Sequence, residues 1–336
     1  MITVNVFNDR EYLYGNVYSY KNTNVISSID PNNLSFAADS EKPKSGGCCV
    51  RFITNSPKIK IVYSITNPIS GNFPHVGITA QRGLSCSYRR IDENYWRNVD
   101  CFNYRDGSTG EIQIPTNIWN PRSNLFEMVV YFPINCFITR FELMIDDGCE
   151  ISPCKDLLNH KIMILGGGIS YGFGISSTQF QLSSLLTRHI ANSSITNVAF
   201  YRRDLWDAYE KILPFLPELE QQKLLLLEIP FYQGDIDVIK ETVFNVLTTL
   251  CKRVGGKIIL WYKPCYEKEY LSWSPLFEQF VSDNGQSSKI IFDKSFLLKN
   301  NTEYDMYMSS VNFVNDNGNI FIMKQIIKLT EDIWNT

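Results

Sequence analysis

Residues 161–174 read KIMILGGGISYGFG and place a short apolar run, 162–165, directly before three consecutive glycines. The apolar run is typical of a buried β-strand, and the spacing of apolar residues in 176–190 predicts a helix. A strand that ends in a tight turn and continues into a helix puts that turn at the carboxyl edge of a parallel sheet. Open α/β sheets bind their ligands at this edge, so the turn is the first candidate for a functional site.

The remainder of the second half alternates in the same way. This alternation predicts a parallel sheet with helices on both faces, a flavodoxin-like three-layer α/β/α domain over residues 158–336. The predicted strands are 161–165, 195–200, 224–228, 257–262 and 289–292. The predicted helices are 178–191, 204–213, 236–253, 266–282 and 319–333.

The first half has a different pattern, with short runs of β-branched and aromatic residues separated by polar turns. The runs are 51–54, 59–63, 111–114, 127–132 and 137–145. Many short strands with polar turns predict a β-sandwich, jelly-roll-like, over residues 1–157. The patterning is interrupted over 147–159, where we expect the domain boundary.

Composition restricts the class of protein. The chain has 336 residues, 44% of them hydrophobic, and a net charge of −3 with basic residues scattered, which argues against nucleic acid as a partner. We expect no secretory signal and no membrane span, because no long apolar stretch occurs. Nine cysteines without a C-x-x-C pair and only three histidines predict free buried thiols, a cytoplasmic location, and neither metal nor cofactor.

Residues 166–172, GGGISYG, resemble the first block of the SGNH (GDSL-type) hydrolases, GDSITYG. The nucleophilic serine of that family falls on Gly168, which has no side chain. The first half resembles the β-sandwich that precedes this domain in carbohydrate-esterase-like members, through residues 51–56, the pair Pro74-His75 and the stretch 124–147. The resemblance implies the fold described above and an esterase ancestry.

The second and third blocks of the family supply further oxyanion donors, a glycine amide and an asparagine side chain. On the second block, Arg202 falls on the glycine. On the third block, Pro230 falls on the glycine and Tyr232 on the asparagine. The resemblance therefore implies that these donors are lost.

The last block of the family, D-x-x-H before a polar turn and a helix, aligns Ser310 with the aspartate and Phe313 with the histidine. A slip of one residue would put Asn312 at the histidine position. Neither phenylalanine nor asparagine can act as a general base. All catalytic positions therefore lack their chemistry.

A relocated nucleophile is the enzymatic alternative. Ser170 lies two residues after the lost serine, and Cys265 follows the fourth predicted strand at the same sheet edge. We expect the Ser170 hydroxyl to satisfy the turn and Cys265 to be a buried thiol. Among the histidines, we expect His160 at the opposite end of the sheet, His189 in a helical C-terminal turn and His75 in the sandwich.

Two interpretations of the altered edge remain open. Arg202, Tyr232 and Phe313 either fill the former active site as plain packing or, with Gly168 and Ser170, line a changed pocket for an anionic or sugar ligand.

The sequence thus predicts a catalytically inactive SGNH-esterase-like protein that acts by binding a glycan, an acylated small molecule or a partner protein. Such a protein would be a subunit or regulator of a biosynthetic assembly. The alternatives are an active carbohydrate esterase or acyltransferase using Ser170 or Cys265, and a purely structural interaction module.

Overall fold

The computed structural model describes residues 2–39, 41–66, 76–99, 110–115, 125–154, 160–190, 192–202, 204–230, 236–284, 289–292, 294–310 and 313–334. Over these residues the protein packs into two compact units. The first comprises residues 1–32, 43–159 and 176–179, and the second comprises 33–42, 160–175 and 180–336. The predicted division between residues 157 and 158 stays a prediction. Segment 33–42 packs with the second unit although it lies before that division, and segment 176–179 packs with the first unit although it lies after it.

The first half is built of short strands and one short helix. In chain order they are β1 (Ile2–Asn5), β2 (Leu13–Tyr14), β3 (Asn16–Tyr20), β4 (Thr23–Ser27), β5 (Cys49–Thr54), β6 (Lys58–Ile65), α1 (Ile78–Arg82), β7 (Ser85–Arg90), β8 (Arg97–Val99), β9 (Gly110–Pro115), β10 (Phe126–Tyr131), β11 (Ile138–Ile145) and β12 (Ile151–Pro153). The five strands predicted from sequence correspond to β5, β6, β9, β10 and β11.

These strands form two antiparallel sheets that share a core. One sheet has the order β3-β4-β11-β6-β9 with β1 beside β11, and the other has the order β12-β5-β10-β7-β8 with β2 beside β5. Alternate residues of both sheets enter one apolar cluster, for example Ile59 and Ile61 from the first and Val50 and Phe52 from the second. Two layers over one core is the arrangement of a sandwich; the jelly-roll connectivity stays a prediction.

The second half alternates strands and helices. In chain order they are β13 (His160–Gly166), α2 (Gly168–Tyr171), α3 (Leu182–His189), β14 (Ser193–Ala199), α4 (Leu205–Ile212), β15 (Leu224–Glu228), α5 (Ile236–Arg253), β16 (Lys257–Trp261), α6 (Glu267–Leu271), α7 (Ser274–Asp283), β17 (Ile290–Ile291), α8 (Asn301–Tyr307), β18 (Met308–Ser310), β19 (Phe313–Val314) and α9 (Asp316–Trp334).

Five of these strands form a parallel sheet of order β14-β13-β15-β16-β17. This confirms the α/β class predicted for the second half. Strand order places β13 and β15 side by side in the sheet. The loops that follow them therefore meet at one carboxyl edge, as the glycine turn predicted.

The predicted helix 266–282 is wrong as a single element. It is divided into α6 and α7, with Pro275 in the first turn of α7. Proline has no amide hydrogen for the helix ladder and disfavours helical backbone in the residue before it, so a helix restarts there more easily than it continues. Among the described residues, no helix combines the length and the apolar character needed to cross a membrane.

The centre of the parallel sheet is expected to carry much of the stability of the second half. Leu226 on β15 is fully buried and lies between Ile164 and Ile259 of the adjacent strands. Leu226→Ala should lower the free energy of unfolding by about 2–5 kcal/mol, because it opens a cavity that flanking strands cannot close. Urea unfolding followed by circular dichroism measures this.

A matched control removes apolar atoms from the surface. Val238 on α5 is 73% exposed, and Val238→Ala should change the free energy of unfolding by no more than about 0.5 kcal/mol. Equal effects of the two substitutions would contradict the assignment of β15 to the core.

Candidate functional site

The glycine turn lies where β13 ends and α2 begins. Gly166 is the last residue of β13, and Gly168 is the first residue of α2. A Cβ atom on Gly166 would collide with the Ser170 side chain, and one on Gly167 would collide with Leu205. The turn is therefore closely packed at positions 166 and 167, where any larger residue would displace the side chain of Ser170 or Leu205.

Gly168 is under no such constraint. A Cβ atom there would lie 3.4 Å from Cε1 of Phe313 and 3.5 Å from Cδ2 of Phe173. Both distances are van der Waals contacts without a collision. Gly168 is also not one of the glycines with positive φ. Neither backbone strain nor lack of space excludes a serine at the position that resembles the family's nucleophile.

A buried carboxylate holds the turn from below. Glu228, the last residue of β15, accepts hydrogen bonds at Oε2 from the amides of Gly167 and Ser170, each at 2.9 Å, and from the Ser170 hydroxyl at 2.6 Å. Its Oε1 accepts a longer bond of 3.4 Å from the Ile169 amide. The side chain therefore takes up amide hydrogens that open the first turn of α2 and have no partner within the helix.

Burial raises the pKa of Glu228, and the hydrogen bonds from Ser170, Gly167 and Ile169 act in the opposite direction without cancelling it. Among the described residues, no cation lies within ion-pair distance of this carboxylate. Within the described part of the chain, the hydrogen bonds to this carboxylate come from backbone amides and one hydroxyl, which stabilise its charge less than the loss of hydration destabilises it.

Two buried amide side chains hold the other end of α2. Asn197 Nδ2 donates to the Ser170 carbonyl at 2.8 Å, and Gln181 Nε2 donates to the carbonyls of Ser170 and Tyr171 at 3.0 Å each. Ser170 thus has its amide, hydroxyl and carbonyl bonded within the protein, and it is fully buried.

Aromatic rings lie above Gly168. The Phe173 ring is 4.4 Å from the Tyr201 ring, 5.3 Å from that of Phe313 and 5.3 Å from that of Tyr171, measured between centroids. Phe173 and Tyr171 are buried, whereas Tyr201 is 39% exposed. Aromatic ring carbon therefore lies beside Gly168, while Gly168 and Phe313 themselves remain partly exposed.

The hairpin β18–β19 brings Phe313 to this place. Ser310 and Phe313 are directly opposite each other in the antiparallel pair. The positions that resemble the family's aspartate and histidine are thus neighbours. Phe313, at the histidine position, also lies next to Gly168, the position that resembles the serine. Residue 312, the alternative histidine position, lies outside the described residues.

Arg202 is engaged within the chain. Its guanidinium donates to the carboxylate of Asp204 and, at 2.6 Å, to the carbonyl of Phe36. Glu41 and Asp207 lie 3.5 and 3.8 Å away, and the arginine side chain is only 12% exposed. These internal partners support a structural role, and a role in ligand binding stays a prediction.

The other predicted site residues fall in several places. Tyr232 and His75 lie outside the described residues. His160 begins β13, at the end of the strand opposite to the turn, and His189 ends α3 with Nδ1 2.8 Å from the Leu185 carbonyl oxygen. Cys265 follows β16 and is buried.

The predicted nucleophile alternatives Ser170 and Cys265 therefore have different surroundings. Burial raises the pKa of the Cys265 thiol to about 12, with nearby Glu269 adding to the effect. A thiol with that pKa is almost wholly protonated at neutral pH.

Comparison with solved structures places the whole chain in one class of fold. It is similar to a GDSL-like lipase from Bacteroides ovatus (TM-score 0.71, 15% identity, 99% of this chain and 98% of that one). It is also similar to the salicylyl-acyltransferase SsfX3 of a tetracycline biosynthetic pathway (TM-score 0.67, 11% identity, 99% and 97%). A third is a family two carbohydrate esterase from Cellvibrio japonicus (TM-score 0.65, 9% identity, 99% and 98%).

The fold of the second half is that of the SGNH hydrolases. The low identities restrict the likeness to the fold. No family model matches the sequence, and the search of the curated proteins returned no match.

Glu228 is the residue of this edge whose role sequence reasoning missed. One signal was present, because a glutamate at the end of the apolar run 224–227 has to be buried with partners. Those partners are 58 to 61 residues away in the chain, so spacing alone does not identify them.

Replacing Glu228 with glutamine should lower the free energy of unfolding by about 1–3 kcal/mol, because the amide offers one acceptor oxygen to donors that now share a carboxylate. The exposed Glu241 of α5 provides a matched control, since Glu241→Gln leaves no buried donor unpaired. Chemical unfolding of both variants measures the difference, and equal stabilities would contradict the role of Glu228.

The pH dependence of Glu228 has a definite sign. A folded pKa raised above the ordinary value of 4.5 means that the folded state keeps a proton which the unfolded state has released. The stability that this bound proton contributes is fully present below the pKa of Glu228 in the unfolded chain. It is lost as the pH rises through the pKa of Glu228 in the folded protein. The difference in the free energy of unfolding between wild type and Glu228→Gln should therefore narrow as the pH rises above the ordinary glutamate pKa of 4.5. A difference that stays constant with pH would exclude a raised pKa.

Proposed function

We propose that this protein is a non-catalytic relative of SGNH esterases and acts by binding. One observation carries the proposal: the position that resembles the nucleophile is Gly168, and the Phe313 ring approaches to 3.4 Å from where a serine Cβ would be. The hydrolytic mechanism needs a hydroxyl as the nucleophile, a base that takes its proton and a carboxylate that orients the base. Glycine and phenylalanine supply neither of the first two.

The size of the chemical loss supports this proposal. In a hydrolytic triad, loss of the serine or of the histidine alone costs about 10⁶-fold in kcat. Here both positions are changed. The position that resembles the orienting aspartate is Ser310, whose hydroxyl carries no charge to stabilise a protonated base.

An esterase or acyltransferase with a relocated nucleophile requires Ser170 or Cys265 to react. Ser170 is fully buried, and its hydroxyl donates to Glu228 at 2.6 Å. Cys265 is protonated at neutral pH and, within the described residues, has no histidine among the side chains that line its pocket. These surroundings favour binding over catalysis.

The names of the similar proteins support a class of ligand. The lipase, the acyltransferase and the carbohydrate esterase all act on acyl esters or acyl groups by name. We therefore propose an acylated small molecule or an acylated glycan as the ligand, in a protein that serves a biosynthetic assembly. The alternative of a purely structural interaction module predicts that none of these ligands binds.

Ester hydrolysis tests the proposal directly. Purified wild-type protein and G168S should both release nitrophenol from p-nitrophenyl acetate no faster than a heat-denatured sample, because a restored serine still meets phenylalanine where a base is needed. Saturable turnover by wild type, abolished by changing Ser170 or Cys265, would overturn the proposal.

A double variant checks the assignment of positions. G168S/F313H places a hydroxyl and an imidazole at two positions that are already in contact. We expect this variant to be labelled by a fluorophosphonate probe, while wild type and both single variants are not. Labelling of wild type would show that a reactive serine exists elsewhere in the chain, and absence of labelling in the folded double variant would contradict the assignment.

A further inference from the structure

Residues 33–42, called the strap below, pack with the second unit, although the residues on both sides of them belong to the first unit. In the chain the strap lies between β4 and β5, two strands of the sandwich sheets. Two backbone hydrogen bonds within it close local turns, from the Ala37 amide to the Leu34 carbonyl and from the Glu41 amide to the Ala38 carbonyl. Such turns shape the strap but do not attach it to the parallel sheet.

The strap contacts the backbone that follows β14. The Tyr201 amide donates to the Glu41 carbonyl at 3.2 Å, and the Phe36 ring lies 6.0 Å from the Phe200 ring, measured between centroids. The Phe200 amide in turn donates to the Gly166 carbonyl at 3.0 Å, at the glycine turn. The strap is therefore attached at the same carboxyl edge of the sheet as the glycine turn.

Arg202 joins the strap to the residue that precedes α4. Its Nη1 donates to the Phe36 carbonyl at 2.6 Å, and its Nε donates to the Asp204 carboxylate at 3.0 Å. The Glu41 carboxylate lies 3.5 Å from the guanidinium, whose central carbon lies 5.8 Å from the centre of the Phe36 ring. A guanidinium carries five donors in one plane, so a single side chain can hold acceptors of the strap and of the sheet edge together.

Tyr201 connects the strap to the aromatic rings beside Gly168. Its backbone is bonded to the strap, and its ring lies 4.4 Å from the Phe173 ring, which lies 5.3 Å from that of Phe313. Phe173 is fully buried, whereas Tyr201 is 39% exposed. The strap therefore holds the backbone of an exposed ring at this edge.

The attachment of the strap lies partly at the surface. Among its described residues, the buried apolar side chains are those of Leu34 and Ala37. The carboxylates beside Arg202 are accessible to water, with the side chains of Glu41 and Asp204 32% and 54% exposed. Segments with few buried apolar contacts open at a lower free energy than the core, and exposed ion pairs add little to hold them. The pairing of β13 with β14 does not involve the strap, so the strap can detach without disrupting the sheet.

We propose that the strap detaches from the end of β14 while the second unit stays folded, and that Arg202 holds it in the attached position. The attached strap positions the Tyr201 ring against Phe173, and detachment allows this ring to move at the edge beside Gly168. Arg202 is therefore a positioning residue of the edge. This inference goes beyond the proposed function, because it holds whether the edge binds a ligand or reacts with one.

Hydrogen exchange of the full-length protein, followed by mass spectrometry, tests the proposal. Arg202→Met removes the guanidinium and keeps an apolar stem. Exchange should become about tenfold faster or more in peptides that contain the strap or the Tyr201 amide, because hydrogen bonds to a charged group stabilise the attached state. Peptides from β13 should exchange as in wild type. Unchanged exchange of the strap in the folded variant would overturn the proposal, and so would an equal increase in the strap and in β13.

Arg253→Met is the matched control. The Arg253 guanidinium also donates to backbone carbonyls, those of Leu213 and Leu216, elsewhere in the second unit. Its removal should leave the exchange of the strap and of the Tyr201 amide at the wild-type rate. The same increase in both variants would contradict a specific role of Arg202.

A spectroscopic signal reports the position of the Tyr201 ring. In protein labelled with fluorotyrosine, the fluorine resonance that Tyr201→Phe removes is that of Tyr201. This resonance should shift and sharpen in Arg202→Met, because a detached strap lets the ring move, and it should keep its position in Arg253→Met. An unmoved resonance in Arg202→Met would exclude the positioning role.

If Arg202→Met does not fold, Arg202→Lys decides the matter. An ammonium keeps the charge but lacks the planar fork that holds Phe36 and Asp204 together. Exchange of the strap should then increase by a smaller factor in the same direction. Exchange at the wild-type rate in this variant would overturn the proposal.

Discussion

The carboxylate of Glu228 is the interaction on which the carboxyl edge of the parallel sheet depends. It joins the end of β15 to the turn after β13 through three amides and one hydroxyl. The Tyr209 hydroxyl in turn donates to the carbonyl of Glu228 at 2.9 Å, which ties α4 to the same strand end. A buried carboxylate is tolerated only with such partners, so the turn and the strand end stabilise each other.

Around this anchor, the backbone fold is similar to that of the GDSL-like lipase and the carbohydrate esterase. Close packing against Ser170 and Leu205 favours glycine at 166 and 167, whereas nothing in the packing requires it at 168. The absent serine is therefore a chemical difference rather than a packing necessity. Phe313 lies against the same position, and a ring there stabilises the edge by burial instead of moving protons.

The carboxyl edge has different surroundings on the two sides of β15. Near Gly168 the rings of Phe173 and Phe313 lie with their centroids 5.3 Å apart, whereas after β16 the ammonium of Lys263 lies 2.9 Å from a carboxylate oxygen of Glu269. One region of the edge is therefore lined by aromatic rings, and the other contains a largely buried ion pair.

The runs at 162–165 and 224–227 were recognisable as strands because a parallel strand buried on both faces is apolar throughout, a local property. The sequence by itself likewise determined that position 168 carries no nucleophile and position 313 no base. Pro275 is a local signal for the break between α6 and α7, although the apolar spacing had favoured a single helix over 266–282. Only the tertiary structure decided that Glu228 accepts hydrogen bonds from the turn, that Phe313 lies against Gly168 and that Glu269 pairs with Lys263. Those contacts depend on how the strands are ordered and paired in space. The spacing of the residues along the chain does not indicate them.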